Sequence, residues 1–461
     1  MAGEWMKPTL ILSLYGFFKE MKPSESFLTP YLNSTFKNIP KKTISDEIYP
    51  ISTYSYLVFL FLVLMTTDFL RYKPLVIIES LAYLATRVIL VWGQGVLIMQ
   101  IMQMTYGLAS ATEVAYYSYI YALVDREHYQ KVSSYTRLAV LAGKGVGDLS
   151  GQLLLSTNTV NLLQLNYVSL ASVAVSVIAA CFLPKVTGSV FGTMKEEKGF
   201  ERFDNEERID DEDQTDQITS SKNIVPQTCS VRLQQYFKNI WHTFKSCYSD
   251  KKLLQWSCFW AIAMCGGLQV EDYVMNLWSA LQGDEIKKAY NGAVFAAGTI
   301  TSAVCVFLFS IAKVDWNSVS EVVIGCLSIV QSTMVFNMAW TSDVTIAYVM
   351  YVIFRASYAF SLTVASFQIA NRLTMDGFGL VFGWNTLVAV CLQSILTLIV
   401  VDKNGLDLPE SKQFVIYGCY FVLVALIFFL LPLWHVLQKS FAWMKSRSGR
   451  QKNDTSKNST I

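Results

Sequence analysis

The chain has 461 residues, 53% of them hydrophobic and only 16% charged, with a net charge of +2; ordinary soluble domains carry about 25% charged residues. A soluble globule would need a larger core than this chain can enclose, and so neutral a balance offers nothing to nucleic acid. The apolar residues recur in runs of about twenty, the length a helix needs to cross a bilayer core of about 30 Å, where the backbone must satisfy its own hydrogen bonds.

In chain order these runs predict twelve membrane helices: 8–33, 50–70, 74–94, 96–124, 132–156, 164–184, 254–280, 290–312, 319–340, 344–370, 377–401 and 412–435. The first run lacks a cleavage site, so it reads as a membrane helix and not a signal peptide. Pro23 and Pro30 can each kink it. The expected organisation is a six-helix bundle over 1–184, an acidic cytosolic linker over 185–253, a second six-helix bundle over 254–435 and a basic cytosolic tail over 436–461.

The first part of the linker is too polar to fold alone. Its end places Leu233, Phe237, Ile240, Trp241 and Phe244 on one helical face. That face suits either a helix lying on the cytosolic interface or a cytosolic start of the seventh span.

Two sextets joined by a long loop is the plan of the major facilitator fold, in which a substrate site lies at the midplane and the halves rock around it. Asp68-Phe-Leu-Arg71 follows the second helix, where that fold places a charged gating loop, so Asp68 and Arg71 are gating candidates.

Orientation follows from the basic residues. Arg71, Lys73, Arg126, Lys131, Lys313, Arg372 and the lysines and arginines of the tail fall on one side of a twelve-helix arrangement, the expected cytosolic side, with both termini there. Lys37, Lys41 and Lys42 dissent in the first loop of the opposite side. That same loop carries Asn33-Ser34-Thr35, an N-glycosylation acceptor.

Charges within apolar runs are expensive and mark functional candidates: Glu25, Glu79, Arg87, Glu113, Arg137, Lys144, Asp148, Glu271, Asp272, Glu321 and Arg355. At about 100° per residue, Tyr106 lies about 20° from Glu113, Tyr117 about 40° and Gln103 about 80°. One face of the fourth helix therefore carries a carboxylate, two phenols and an amide. It suits a planar, hydrogen-bonding ligand stacked on rings, with cationic charge balanced by the acid; a structural ion pair to Lys144 or Arg355 is the alternative.

Lys144 and Asp148 are one turn apart, as a local pair would be, or Lys144 faces a ligand. Beside them Gly143, Gly145, Gly147 and Gly151 permit close helix approach. Arg355 shares a face with Tyr348, Tyr351 and Tyr358, either clamping an anionic group or pairing with a first-half acid such as Glu25 or Glu113. Glu25 sits beside the proline break. The neighbours Glu271 and Asp272 diverge by about 100° and cannot both face a cavity. A buried carboxylate among these can carry a coupling proton.

Nine scattered cysteines and three histidines form no zinc or redox spacing. No phosphate loop, nucleophile elbow or dinucleotide fingerprint occurs. Neither an enzyme nor a cofactor or metal site is expected, and transport should be secondary.

Lys22-Pro-Ser-Glu25-Ser-Phe-Leu-Thr-Pro-Tyr31, Thr53-Tyr-Ser-Tyr56, Asp68-Phe-Leu-Arg71-Tyr-Lys-Pro74, Glu113-Val-Ala-Tyr-Tyr-Ser-Tyr119, Glu127-His-Tyr-Gln-Lys-Val132, Tyr290-Asn-Gly-Ala-Val294, Phe367-Gln-Ile-Ala370 and Leu380-Val-Phe-Gly383 resemble the reduced folate carrier and thiamine transporter family of solute carriers. The resemblance spans about 8–435. It implies a facilitator-type fold and plasma-membrane uptake of a water-soluble vitamin. A proton or a counter-anion is the candidate coupling partner.

By the same resemblance, folate carriers would place an arginine at Glu113 and a lysine at Gln393. Thiamine carriers resemble this chain at Glu113 and Gln393, and their pocket would fall on Glu25, Tyr49, Tyr106, Glu113 and Asn291. The chain departs at Gln103, where an acid is expected, at Ser52, where a tryptophan is, and at Lys144, where a tyrosine is. The expected substrate is thiamine or a related heterocycle. The alternatives are a reduced folate, and another organic solute or binding without turnover.

Overall fold

The structure is a computed structural model and describes residues 5–70, 72–123, 129–184, 238, 244–245, 248–282, 290–312, 314–373 and 378–429. Twelve long helices follow in order: α1 Met6–Glu20, α2 Tyr49–Leu70, α3 Tyr72–Trp92, α4 Val96–Leu123, α5 Tyr129–Ser156, α6 Leu162–Phe182, α7 Lys251–Gln282, α8 Asn291–Ile311, α9 Trp316–Trp340, α10 Val344–Ala370, α11 Phe378–Val400 and α12 Glu410–Phe429. Nine helices among the described residues are long and apolar enough to cross a membrane. The chain is an all-helical membrane protein of the facilitator type, as the apolar runs predicted.

The first span departs from expectation. It is not one kinked helix over 8–33: α1 stops at Glu20, a 3₁₀ turn covers Glu25–Phe27, and a short helix, Leu28–Asn33, completes the crossing. Pro23 lacks a backbone donor and disfavours helix at Lys22, which explains the stop. Pro30 sits harmlessly in the first turn of the short helix.

Irregular backbone at membrane depth is tolerated only where protein satisfies it, and neighbouring helices do so here. Ser172 Oγ donates to the Phe18 carbonyl (2.9 Å), Ser24 N donates to Ser169 Oγ (3.0 Å), and Ser26 Oγ donates to Asp148 (2.5 Å). The α5 glycines explain how a helix comes so close. A Cβ at Gly143 would overlap the Phe17 carbonyl, one at Gly147 would lie 2.9 Å from Lys22 N, and one at Gly151 would overlap the Pro23 carbonyl. Gly145 faces open space.

Helices α1–α6 pack on one another, as do α7–α11, and the two sets meet chiefly along α2/α11 and α5/α8. At the end carrying residues 34–48 and 401–409, both sets share one apolar core: Phe27, Tyr31, Ile48 and Tyr49 join Tyr273, Leu277, Trp278 and Phe414. Toward the other end each set has its own core, one around Tyr15, Tyr116 and Tyr119, the other around Trp256, Phe259 and Phe428. There the two sets are linked by the α2–α11 seam of Leu60, Val63, Leu387 and Val390. The molecule is therefore sealed at the 34–48 end, above the buried charges.

The dissenting first-loop lysines have local partners. Lys37 is buried and donates to the Val91 carbonyl (3.1 Å) and the Gly93 carbonyl (2.5 Å), capping the end of α3. Lys41 donates to Ser279 O at 2.8 Å, and Lys42 pairs with Asp407 at 2.6 Å. The last two join the halves at the sealed end.

The gating pair Asp68/Arg71, the tyrosine side chain at 117, the tail and nearly all of the linker lie outside the described residues, apart from the backbone of Asp68 and Tyr117 within their helices. At the linker's end, Tyr248 donates to Asn385 (2.7 Å), and Phe244 meets Trp384 edge-on at 5.0 Å between ring centroids.

Candidate functional site

Glu113 lies midway along α4, and its side chain is 30% accessible although it is deep in the bundle. Its partner is neither Lys144 nor Arg355. Lys19 of α1 takes that role, its Nζ 2.9 Å from Glu113 Oε1 and 2.7 Å from Glu79 Oε1 of α3. The ammonium also sits 4.5 Å from the centre of the Tyr116 ring, so α4 turns Tyr116 toward α1.

On the predicted face, Tyr106 is half-buried and meets Tyr83 edge-on at 6.2 Å. Gln103 is buried, and its backbone carbonyl receives a long hydrogen bond from Ser55 (3.4 Å). Gly107 is in close contact with Ser52 and Ser55, so small residues bring α2 against α4.

A second pair joins Glu25, at the break of the first span, to Arg87 of α3; Arg87 is buried, while Glu25 is 31% accessible. Arg87 also donates to Ser24 Oγ at 3.2 Å. A third pair joins Arg355 of α10 to Glu271 of α7, 17% and 26% accessible. The gating pair between Arg355 and a first-half acid is therefore absent, because Glu271 of its own half has claimed the guanidinium. The stem of Arg355 lies along Gly298 of α8. Asp272, next to Glu271, points elsewhere and accepts from Gln393 at 2.8 Å, the divergence that helical spacing requires.

On α5, Asp148 accepts from Ser26 and forms no pair with Lys144. Lys144 makes no ion pair among the described residues but stands within electrostatic reach of Glu25, Glu113 and Asp148. Asp148 is in turn within reach of Arg355. Tyr106 of the first half is likewise within reach of Glu25 and of Asp272 in the second half. The acid of the fourth span and the guanidinium of the tenth thus belong to one electrostatically linked polar interior, the chamber, bridged by Lys144 and Asp148 of α5.

Two residues implied only by resemblance lie at the sealed end. Tyr49 is buried and shares a 2.6 Å hydrogen bond with Thr29, which donates to Asn276 of α7 at 2.9 Å. Asn291 is buried, accepts from Tyr348 at 2.6 Å and from Gln282 at 3.1 Å, and keeps an amide Nδ2 without a partner among the described residues.

Lys19 escaped the sequence reading although it lies inside the predicted first helix, where the criterion applied to Glu113 would have flagged it. Of the other charged candidates, Glu79 and Arg87 hold the two acids of the first half, Glu113 through Lys19 and Glu25 directly, and Glu321 pairs with Lys252 at 2.8 Å.

The family model described as "Reduced folate carrier" matches residues 3–416. Thiamine transporter 1 of Homo sapiens is 40% identical, covering 92% of this chain and 89% of that protein. Folate transporter 1 of Caenorhabditis elegans is 41% identical, covering 92% and 91%. Among solved structures, the POT family transporter PepTSo superposes with a TM-score of 0.64 at 11% identity, over 94% of this chain and 98% of that one, a likeness of fold alone. Both sequence relatives are named as transporters, and the protein is accordingly a secondary transporter and not an enzyme. With the family's model matched over most of its length, the chain belongs to the reduced folate carrier family.

Proposed function

We propose that the protein carries thiamine, or a related small cationic heterocycle, across the plasma membrane into the cell by alternating access. One observation carries the choice of substrate: the charge balance of the chamber. Six carboxylates (Glu25, Glu79, Glu113, Asp148, Glu271, Asp272) stand against four cations (Lys19, Arg87, Lys144, Arg355), an excess of two negative charges when all are ionised; Lys22 and Glu20, 3.9 Å apart, cancel. A ring cation relieves that excess, whereas a dianionic folate adds to it. In a partly desolvated site such a difference outweighs any hydrogen bond.

In this reading Glu113 meets the cationic ring, Tyr106 and Tyr117 give stacking and hydroxyl contacts, and Gln103, Glu25 and Arg355 border the space. Tyr49 and Asn291 close over the ligand from the sealed end, where the unpartnered amide of Asn291 is an available donor. Asp68 and Arg71 gate the other end, and a proton or counter-anion couples the cycle. The two bundles, 1–184 and 254–435, move as the rocking units, joined by the linker 185–253 with the tail 436–461 beyond. Arg372 at the end of α10 and the sequon at Asn33 support cytosolic termini and an extracellular seal.

Expression in cells that lack thiamine uptake tests this. Saturable uptake of labelled thiamine is expected, and Glu113→Gln should lower it at least tenfold with surface protein unchanged. A glycosidase-sensitive mass shift that Asn33→Gln removes would report the sidedness in the same cells. Nil thiamine uptake by the wild-type protein would discard the assignment.

A reduced folate is the second reading, favoured by one feature: Lys144 is a cation beside the chamber without an ion-pair partner among the described residues, ready for a carboxylate. Competition of thiamine uptake by pyridoxine and by reduced folates separates the readings.

A further inference from the structure

Lys19 and Glu79 enter the reading above only as opposite charges that cancel, yet their setting is specific. Both are fully buried, and the ammonium is shared between Glu79 at 2.7 Å and Glu113 at 2.9 Å. Of the two acids only Glu113 reaches the chamber; Glu79 has no accessible surface. The second oxygen of Glu79, Oε2, is buried beside the Tyr15 hydroxyl. Glu79 is therefore a fully buried second acceptor that already holds a movable ammonium.

One cation between two carboxylates leaves the cluster one positive charge short, in a place where unbalanced charge is costly. Lys22 and Lys144 are within reach of Glu113 but form no ion pair with it. Lysine suits such a role, being a compact charge on a flexible stem, where arginine would lock both acids in a rigid fork.

We propose that Lys19 is a resident stand-in cation on Glu113, and that a cationic substrate displaces it onto Glu79. In the empty chamber Lys19 occupies the inner oxygen of Glu113. When the substrate's ring cation arrives, Lys19 withdraws fully to Glu79, which already holds it at 2.7 Å, and the cluster becomes two matched pairs. On release the ammonium returns and helps to expel the ligand. An uncharged heterocycle cannot complete the exchange, so the triad selects for charge. The proposal rests on the reading of Glu113 as the substrate's acid.

The device predicts effects of opposite sign, which loss of structure would not produce. Glu79→Gln removes the refuge, so Lys19 clings to Glu113 and thiamine affinity should fall about tenfold. Lys19→Gln with Glu79→Gln removes the competitor, so affinity should rise about tenfold while dissociation slows and maximal uptake falls.

The measurement is equilibrium and off-rate binding of labelled thiamine to the full-length protein in lipid nanodiscs, with thermal unfolding recorded on each variant. If the double Gln variant does not fold, Lys19→Met with Glu79→Leu replaces the buried pair by apolar groups of similar size and carries the same expectation. Affinities of Glu79→Gln and the double variant that both stay within about twofold of wild type, or that both fall, overturn the exchange. Should Glu113→Gln still bind thiamine normally, the error lies earlier, in the choice of Glu113, and the exchange falls with it. Loss of binding in Glu113→Gln beside unchanged Glu79 variants condemns the exchange alone.

Discussion

Arg87 shows how much a single side chain in this chamber depends on its partner. Its side chain is 2% accessible and is held by Glu25 and Ser24. Removing the acid strands a buried guanidinium, which costs about 3–5 kcal/mol. Glu25→Gln should therefore lower the melting temperature in detergent, and adding Arg87→Met should restore most of it. Equal instability of the single and double variants would show that the pair does not hold the break. At this scale the sequence was partly legible. Charges inside apolar runs stood out because hydrocarbon tolerates few of them, and every one that the structure describes within the chamber is paired or hydrogen-bonded, except Lys144. The partners were not legible: Lys19 and Glu79 are 60 positions apart and Lys19 and Glu113 are 94 apart, so only the fold brings them within 3 Å.

Among the elements, α1 and α5 form one unit. The broken crossing survives because α5 offers glycine where backbone meets backbone. Gly143→Ala should force α1 outward, since the new methyl would overlap the Phe17 carbonyl, at about 1–3 kcal/mol. Gly145→Ala meets nothing within 4 Å and should be neutral or stabilising by up to about 1 kcal/mol, as alanine favours helix. Melting temperatures of the two variants in one detergent check the contrast; a reversed order would mean that the glycines serve flexibility instead of approach. The glycine set and Pro23 were visible in sequence. Which glycines touch a neighbour was not, because helical spacing fixes a face but not what lies against it.

For the whole molecule, the seal at the 34–48 end holds the chamber closed on that side. Beyond its apolar core it carries one buried polar tie, Tyr49–Thr29–Asn276, across three segments and both halves. Thr29→Val keeps the volume but leaves the Tyr49 hydroxyl and the Asn276 carbonyl oxygen unsatisfied while the seal is shut. That costs about 1–3 kcal/mol, so a shift of about tenfold or more toward the opened state is expected. Spin labels at Thr35 and Asn404, on the two sides of the seal, should show a larger long-distance population in the variant. An unchanged distance distribution would remove Thr29 from the closure. The Lys42–Asp407 and Lys403–Glu47 pairs at the rim are more exposed and contribute far less.

Sequence alone determined that the chain crosses a membrane, how many long helices it forms and, the broken first span apart, where they run, because a bilayer imposes one length and one backbone solution on most crossings. It also singled out Glu113, Glu25 and Arg355 as polar groups with no reason to be there unless they face one another or a ligand. Tertiary structure alone decided the pairing of those charges, the close packing of α5 that supports the broken first span and the end at which the bundle is shut. Each depends on contacts between segments far apart in the chain, and helical periodicity carries no information about which faces meet.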